Sequence, residues 1–172
     1  RAARLAVPPA AGAGLPRVHR WAHRDGTAER GYGGRSIVWD NGQARQDLSR
    51  AGDYARLLAS LGINGASINN VNANPLLLSA EFVPQIARIA EAFRPWGVRI
   101  ALSVDFGSPQ TVGTLPTYDP LDPAVIAWWK ARADDIYRVV PDFGGFVLKA
   151  DSEGRVGPST YGRPHADAAN VV

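Results

Sequence analysis

Lys149-Ala150-Asp151-Ser152-Glu153-Gly154 places one cation and two carboxylates directly after an apolar run. Residues of these types can act as a general acid beside an anion-binding ammonium. The same six can equally form a solvated loop closed by a surface ion pair. Usage favours chemistry slightly. Glutamate occurs only four times in the chain, and lysine only twice among 19 basic residues. A lysine where the chain habitually writes arginine points to a need for a compact ammonium. Asn69, Asn70 and Asn72 offer neutral hydrogen bonding suited to hydroxyls, or alternatively turn chemistry. Trp21 can stack on a sugar or fill a core, and Asp105 is either a second carboxylate or a loop cap. His19, His23 and His165 do not have a metal-ligand spacing, and Ser152 lacks the Gly-x-Ser-x-Gly elbow of a serine hydrolase.

Strand ends must display such a set, and the chain reads as strand and helix in alternation. Strands are expected over Leu15–Ala22, Ile63–Asn69, Val98–Val104 and Gly145–Ala150. A helix over Asp47–Leu61 carries Tyr54, Leu57, Leu58 and Leu61 on one face and stops at Gly62. A second helix is expected with Ser79 as its cap, Phe82, Ile86, Ile89 and Phe93 inward, and Gly97 as its stop. Asp122-Pro123 opens a third, with Val125, Trp128, Trp129, Ala133, Ile136 and Val140 inward. The segment Asp151–Pro164 reads as a polar loop. Repeated strand–helix–strand units imply a parallel sheet with right-handed crossovers. An open doubly wound sheet and a (β/α)8 barrel both fit. Gly31-Tyr32-Gly33-Gly34 does not have the spacing of a dinucleotide-binding loop. The polar residues collect after strand ends, at the rim where barrels do their chemistry.

Composition bounds the rest. The 172 residues are 45% hydrophobic and 20% charged, with a net charge of +3. Basic residues are scattered rather than striped, which disfavours nucleic-acid binding. No apolar run reaches the ~18–20 residues that cross a bilayer. Without cysteine there is no disulfide framework, thiolate metal site or cysteine nucleophile. The absence of methionine and the ends at Arg1 and Val172 suggest an internal piece of a longer protein. Residues 1–14 read as a linker from a preceding domain, and 15–172 as roughly half of a ~250-residue barrel.

Several ordered strings carry a family resemblance. They are Asp25-Gly26-Thr27-Ala28-Glu29-Arg30-Gly31-Tyr32, Ser60-Leu61-Gly62-Ile63-Asn64-Gly65 with Asn69-Asn70-Val71-Asn72-Ala73, Asp119-Pro120-Leu121-Asp122-Pro123 with Trp128-Trp129-Lys130, and Pro141-Asp142-Phe143-Gly144-Gly145-Phe146 running into Lys149–Gly154. Together they resemble the alpha-glucuronidases of glycoside hydrolase family 67, from about Val18 to Asn170.

The resemblance implies an α/β fold that is the first four strand–helix units of a (β/α)8 TIM barrel, incomplete in this chain. It implies hydrolysis of the α-1,2 bond between glucuronic or 4-O-methylglucuronic acid and the terminal xylose of xylo-oligosaccharides, with inversion and without metal or cofactor. Glu153 matches the general acid and Lys149 a residue that binds the uronate carboxylate. Trp21 and Val71 match positions around the 4-O-methyl group, and Asn70 is the amide expected at substrate hydroxyls. The partners implied are glucuronoxylan-derived oligosaccharides, the rest of the barrel and its flanking domains. The base belongs to later strands, so the isolated chain is expected to be inactive. Its two open parallel edges are expected to make it poorly soluble.

Four positions depart from the family pattern. Trp21-Ala22-His23 stands where Trp-Asp-Asn is usual, Asp151 where Asn is usual, and Gly33 where Ala is usual. Asp151 puts a charge near Glu153, which would raise the acid's pKa by repulsion or repel a uronate. Ala22, His23 and Asp151 keep open a second class, a non-catalytic relative that holds uronate-bearing oligosaccharides. A phosphate-handling barrel is a weaker third reading, because barrel phosphate sites usually follow strands seven and eight.

Overall fold

A computed structural model describes residues 17–19, 22–28 and 33–172, with the side chain of His19 excepted. The expected linker and Trp21 lie outside the described residues. The elements in chain order are β1 (Arg17–His19), β2 (Trp39–Asp40), β3 (Gln43–Ala44), α1 (Ser49–Ser60), β4 (Gly65–Ser67) and α2 (Val83–Phe93). They continue with β5 (Arg99–Asp105), α3 (Ser108–Thr111), α4 (Pro123–Val139), β6 (Phe146–Lys149) and α5 (His165–Val171).

The four longer strands form one parallel sheet in the order β1-β4-β5-β6. Spatial order follows chain order without the reversal that defines a doubly wound sheet. Of the two architectures that the alternation allows, this is the half-barrel.

Period-2 alternation divides the sheet into two unlike faces. Val18, Ala66, Ile68, Ile100, Leu102, Val104, Phe146 and Leu148 join the hydrophobic core with the helices. Ile86, Ile89 and Phe93 of α2 are buried there, and full burial of such side chains stabilises by about 1.5–3 kcal/mol each. The registered neighbours on the opposite face are mostly small or polar: Gly65, Ser67, Ala101, Ser103, Asp105 and Lys149, with Val147 the apolar exception beside Ser103. Ser67 Oγ and Ser103 Oγ lie 3.2 Å apart across the two central strands.

Local signals decide α4. The Asp122 carboxylate accepts from the backbone N–H of Ala124 (2.8 Å) and Val125 (3.2 Å), with Pro123 at the first helical position. Two helix expectations need correction. Ser79 does not cap α2: it ends the 3-10 turn Pro75–Leu78, and α2 starts at Val83 with no side-chain cap. Asn74 caps that turn instead, and the turn buries Leu77 and Leu78. On α1 the buried residues are Ala51, Ala55 and Leu58, while Leu57 and Leu61 are 54% and 68% exposed. The small side chains take the inward face where α1 packs on α2; a Cβ on Gly52 would lie in ordinary contact with the Ala92 carbonyl oxygen, at 3.6 Å.

Three features were not anticipated: the β2–β3 hairpin, the short helix α3 and α5. Asn41 and Gly42 both have positive φ (47° and 82°), as a two-residue type I′ hairpin turn requires. The hairpin seats Trp39, whose Nε1–H donates to the Ile68 carbonyl at 2.8 Å. The chain after Pro164 forms α5, and its buried Ala168 packs with Phe106 and Tyr118 in a second apolar cluster.

Candidate active site

Three segments meet at the C-terminal mouth of the sheet: the chain after β1, the asparagine run after β4, and the end of β6 with its following loop. Lys149 is the last residue of β6 and pairs in register with Asp105. Its ammonium is nearly buried, with the side chain 12% exposed. Nζ donates to Asn72 Oδ1 at 2.7 Å and to Glu153 Oε2. The Glu153 side chain is 55% exposed, so its carboxyl is reachable from solvent.

The loop that carries Glu153 has an unusual backbone. Asp151 (φ 52°), Glu153 (φ 51°) and Gly154 (φ 74°) all lie in the left-handed region. For a non-glycine residue that conformation costs roughly 1–2 kcal/mol, so contacts elsewhere must hold the loop. Asp151 supplies them. Its carboxylate accepts from Ser159 N–H (3.2 Å), from Ser159 Oγ, and from His165 Nε2 (2.9 Å). The Ser159 hydroxyl above all, then the Ser159 N–H and His165, holds the Asp151 carboxyl below its ordinary value of 3.8, against a smaller opposing effect of burial. The charge two residues from Glu153 is thus directed at Ser159 and His165.

Asn69 replaces the sheet ladder where β4 peels away from β5. Its Oδ1 accepts from Ser103 N–H (2.8 Å) and its Nδ2 donates to the Ser103 carbonyl (2.9 Å). Asn70 is 4% exposed; its Oδ1 accepts from Asn72 N–H at 2.7 Å and its Nδ2 lies 3.3 Å from His23 Nε2. Beside these lies a cavity of about 340 Å³ lined by His23, Asn69, Asn70, Asn72, Ala73 and Arg155 among others. That volume is at the lower end for small-molecule sites. Asp105 accepts from Gly107 N–H at 2.8 Å and faces Arg155 at 3.4 Å.

Of the residues the sequence singles out, Lys149 and Glu153 are in contact, and Asn70 lines the cavity that Asn72 joins to them. Val71 is half-buried and is not among the cavity's lining residues. Among the described residues no cluster of three or more histidines and carboxylates is placed to hold a metal ion.

A model of the "Glycosyl hydrolase family 67 middle domain" matches residues 5–172. The chain belongs to glycosyl hydrolase family 67. It is 53% identical over 154 residues to "Probable alpha-glucuronidase A" of Aspergillus fumigatus, covering 90% of this chain and 18% of that protein. The namesake in Aspergillus oryzae matches to the same extent. "Alpha-glucuronidase A" of Emericella nidulans is 52% identical over 146 residues, 85% of this chain and 17% of that protein. The chain therefore spans less than a fifth of the length of these curated relatives.

Sequence reasoning passed over three contributors to this family 67 site. Arg155 follows the Lys149–Gly154 motif directly, yet its partner Asp105 is 50 positions away. Ser159 and His165 reach Asp151 across 8 and 14 positions. His165 was weighed only as a metal ligand, and nothing local marks it as the partner of a carboxylate.

Proposed function

We propose that this family 67 domain forms part of an alpha-glucuronidase. It would release glucuronic or 4-O-methylglucuronic acid from the terminal xylose of xylo-oligosaccharides, with inversion. The observation that carries this reading is the Lys149–Glu153 contact at the strand mouth, next to an amide-lined cavity. A uronic acid carries one fixed negative charge, and an ammonium held by a rigid strand end is a fitting partner. Charge-assisted hydrogen bonds of this kind contribute about 1.5–3 kcal/mol.

The same contact gives the acid its cue. Before substrate arrives, Lys149 stabilises Glu153 as a carboxylate. A uronate that takes over Lys149 draws that ammonium from Glu153 and brings a second anion near it, the conditions under which the carboxylate takes up a proton from solvent and holds it. Glu153 then donates that proton to the xylose oxygen as the bond to the anomeric carbon breaks. Water adds to the opposite face of that carbon and gives its proton to a base. In this reading the base comes from strands beyond Val172, and residues 15–172 are the first half of the barrel. Asn70 meets sugar hydroxyls, and Trp21 and Val71 flank the 4-O-methyl group.

The test is Glu153→Gln in the intact protein, assayed for uronic acid release from aldouronic oligosaccharides. Loss of a general acid lowers turnover by about 10²–10⁴-fold, with the circular dichroism spectrum unchanged. Near-normal release would reject the acid assignment. Oligosaccharide binding without release in the unsubstituted protein would favour the non-catalytic reading.

A further inference from the structure

The residue that ties the Glu153 loop to the turn and helix that follow it is Asp151, not the acid. Asp151 inserts its carboxylate between Ser159, in the 3-10 turn Pro158–Tyr161, and His165, the first residue of α5. That platform is fixed from below. Tyr161 Oη accepts from Thr117 Oγ1 at 2.9 Å, the Tyr161 ring meets Tyr118 edge-on at 4.9 Å, and Ala168 is buried with Phe106. Gly157 closes the fit, since a Cβ there would stand 2.5 Å from both Asp151 Cγ and its backbone nitrogen. Between anchor and acid stands only Ser152, whose carbonyl accepts from Arg155 N–H at 3.0 Å and tightens the turn.

We propose that Asp151 is a positioning residue for Glu153. Its three hydrogen bonds hold a loop with two left-handed non-glycine positions, Asp151 and Glu153, and so direct the Glu153 carboxyl to Lys149 and to the leaving oxygen. Resting on the reading of Glu153 as the acid, this assigns Asp151 the work of orientation rather than of charge. Misplacing a reacting group by about 1 Å can cost on the order of 10²-fold in rate. Such a loss appears in kcat, because the cavity residues that bind the sugar are untouched.

The experiment compares Asp151→Ala, Asp151→Asn and Gly157→Ala in the intact protein on two substrates. One is an aldouronic oligosaccharide, whose xylose oxygen must be protonated. The other is α-D-glucuronosyl fluoride, whose leaving group departs as fluoride without a proton. For Asp151→Ala the expected result is an oligosaccharide kcat lower by about 10–100-fold. KM stays within about twofold and fluoride turnover within about threefold of the parent, the split expected when only a transition-state interaction is lost. Gly157→Ala, whose Cβ would collide with both the carboxyl and the backbone nitrogen of Asp151 and so displace the anchor without altering it, follows the same pattern. Asp151→Asn keeps an acceptor for Ser159 and restores most of the rate. Equal losses on both substrates, a rise in KM alone, or an unchanged oligosaccharide kcat would each overturn the proposal. Glu153→Gln in parallel separates the two claims. If it spares oligosaccharide turnover the acid reading fails, whereas if it abolishes turnover while Asp151→Ala does not, only the positioning claim fails.

Discussion

Replacing Asn69 with alanine tests how the strand mouth is held open. Asn69 is 2% exposed and Ser103 is fully buried. The amide of Asn69 satisfies both backbone groups of Ser103, at 2.8 and 2.9 Å, where β4 has left the ladder. Depriving a buried polar group of its partner costs about 1–3 kcal/mol, so two groups give about 2–6 kcal/mol. Asn69 also lines the cavity of about 340 Å³, and water entering there recovers part of the loss. The expected destabilisation of this region is therefore in the lower half, about 2–3 kcal/mol. At 1.4 kcal/mol per decade, amide hydrogen exchange in β5 should accelerate by about 30- to 150-fold. The assay is exchange of the intact protein followed by mass spectrometry on the peptide containing Arg99–Asp105. Asn69→Asp, which keeps the acceptor but loses the donor, should also accelerate exchange. Acceleration of less than about threefold in the alanine variant would mean that the amide pair does not hold β5, and the account of the strand mouth would be wrong.

Other consequences can be checked independently. The Arg94 guanidinium grips Asp142 through two bonds of 2.9 and 2.8 Å and holds its carboxyl below its ordinary value of 3.8. A depressed carboxyl stabilises the fold above its unfolded pKa, and that stabilisation is lost as pH falls through the folded one. Asp142→Asn should therefore lower stability at pH 7 and flatten the acid limb below about pH 3.8, as read by urea midpoints across pH; parallel acid limbs would exclude this contribution. Gly144→Ala should destabilise by about 1–3 kcal/mol in the same assay, because its Cβ would meet the Ile100 carbonyl oxygen at 2.8 Å. Gly52→Ala, with an ordinary 3.6 Å contact and a helix-interior gain of up to about 1 kcal/mol, should be neutral or stabilising. The reverse ranking of the two glycines would refute the packing described for β5 and α1.

What could be read in the sequence was what neighbouring residues decide. Asp122-Pro123 fixes the start of α4 through two backbone donors within three positions, and Lys149 and Glu153 are four positions apart. The inward face of α1 differs from the periodicity because a tyrosine and three leucines at helical spacing outweigh two alanines in such a count. Packing instead chooses the smaller pair where two helices must approach. Ser79 satisfies the local rule for a cap, but Asn74 and Pro75 capture the preceding turn first. The Asn41-Gly42 turn was legible and overlooked, since the dipeptide alone signals a hairpin. The anchoring of Asp151 was not legible, because it depends on a turn and a helix brought back by the fold.

The sheet's division into an oily back and a hydroxyl-lined front also bears on how the molecule comes together. Ile100, Leu102 and Val104 are drawn outward toward α2 and α4, whereas Ser67 and Ser103 offer the centre almost no apolar drive. Apolar burial is therefore concentrated on the side of the sheet that the helices cover.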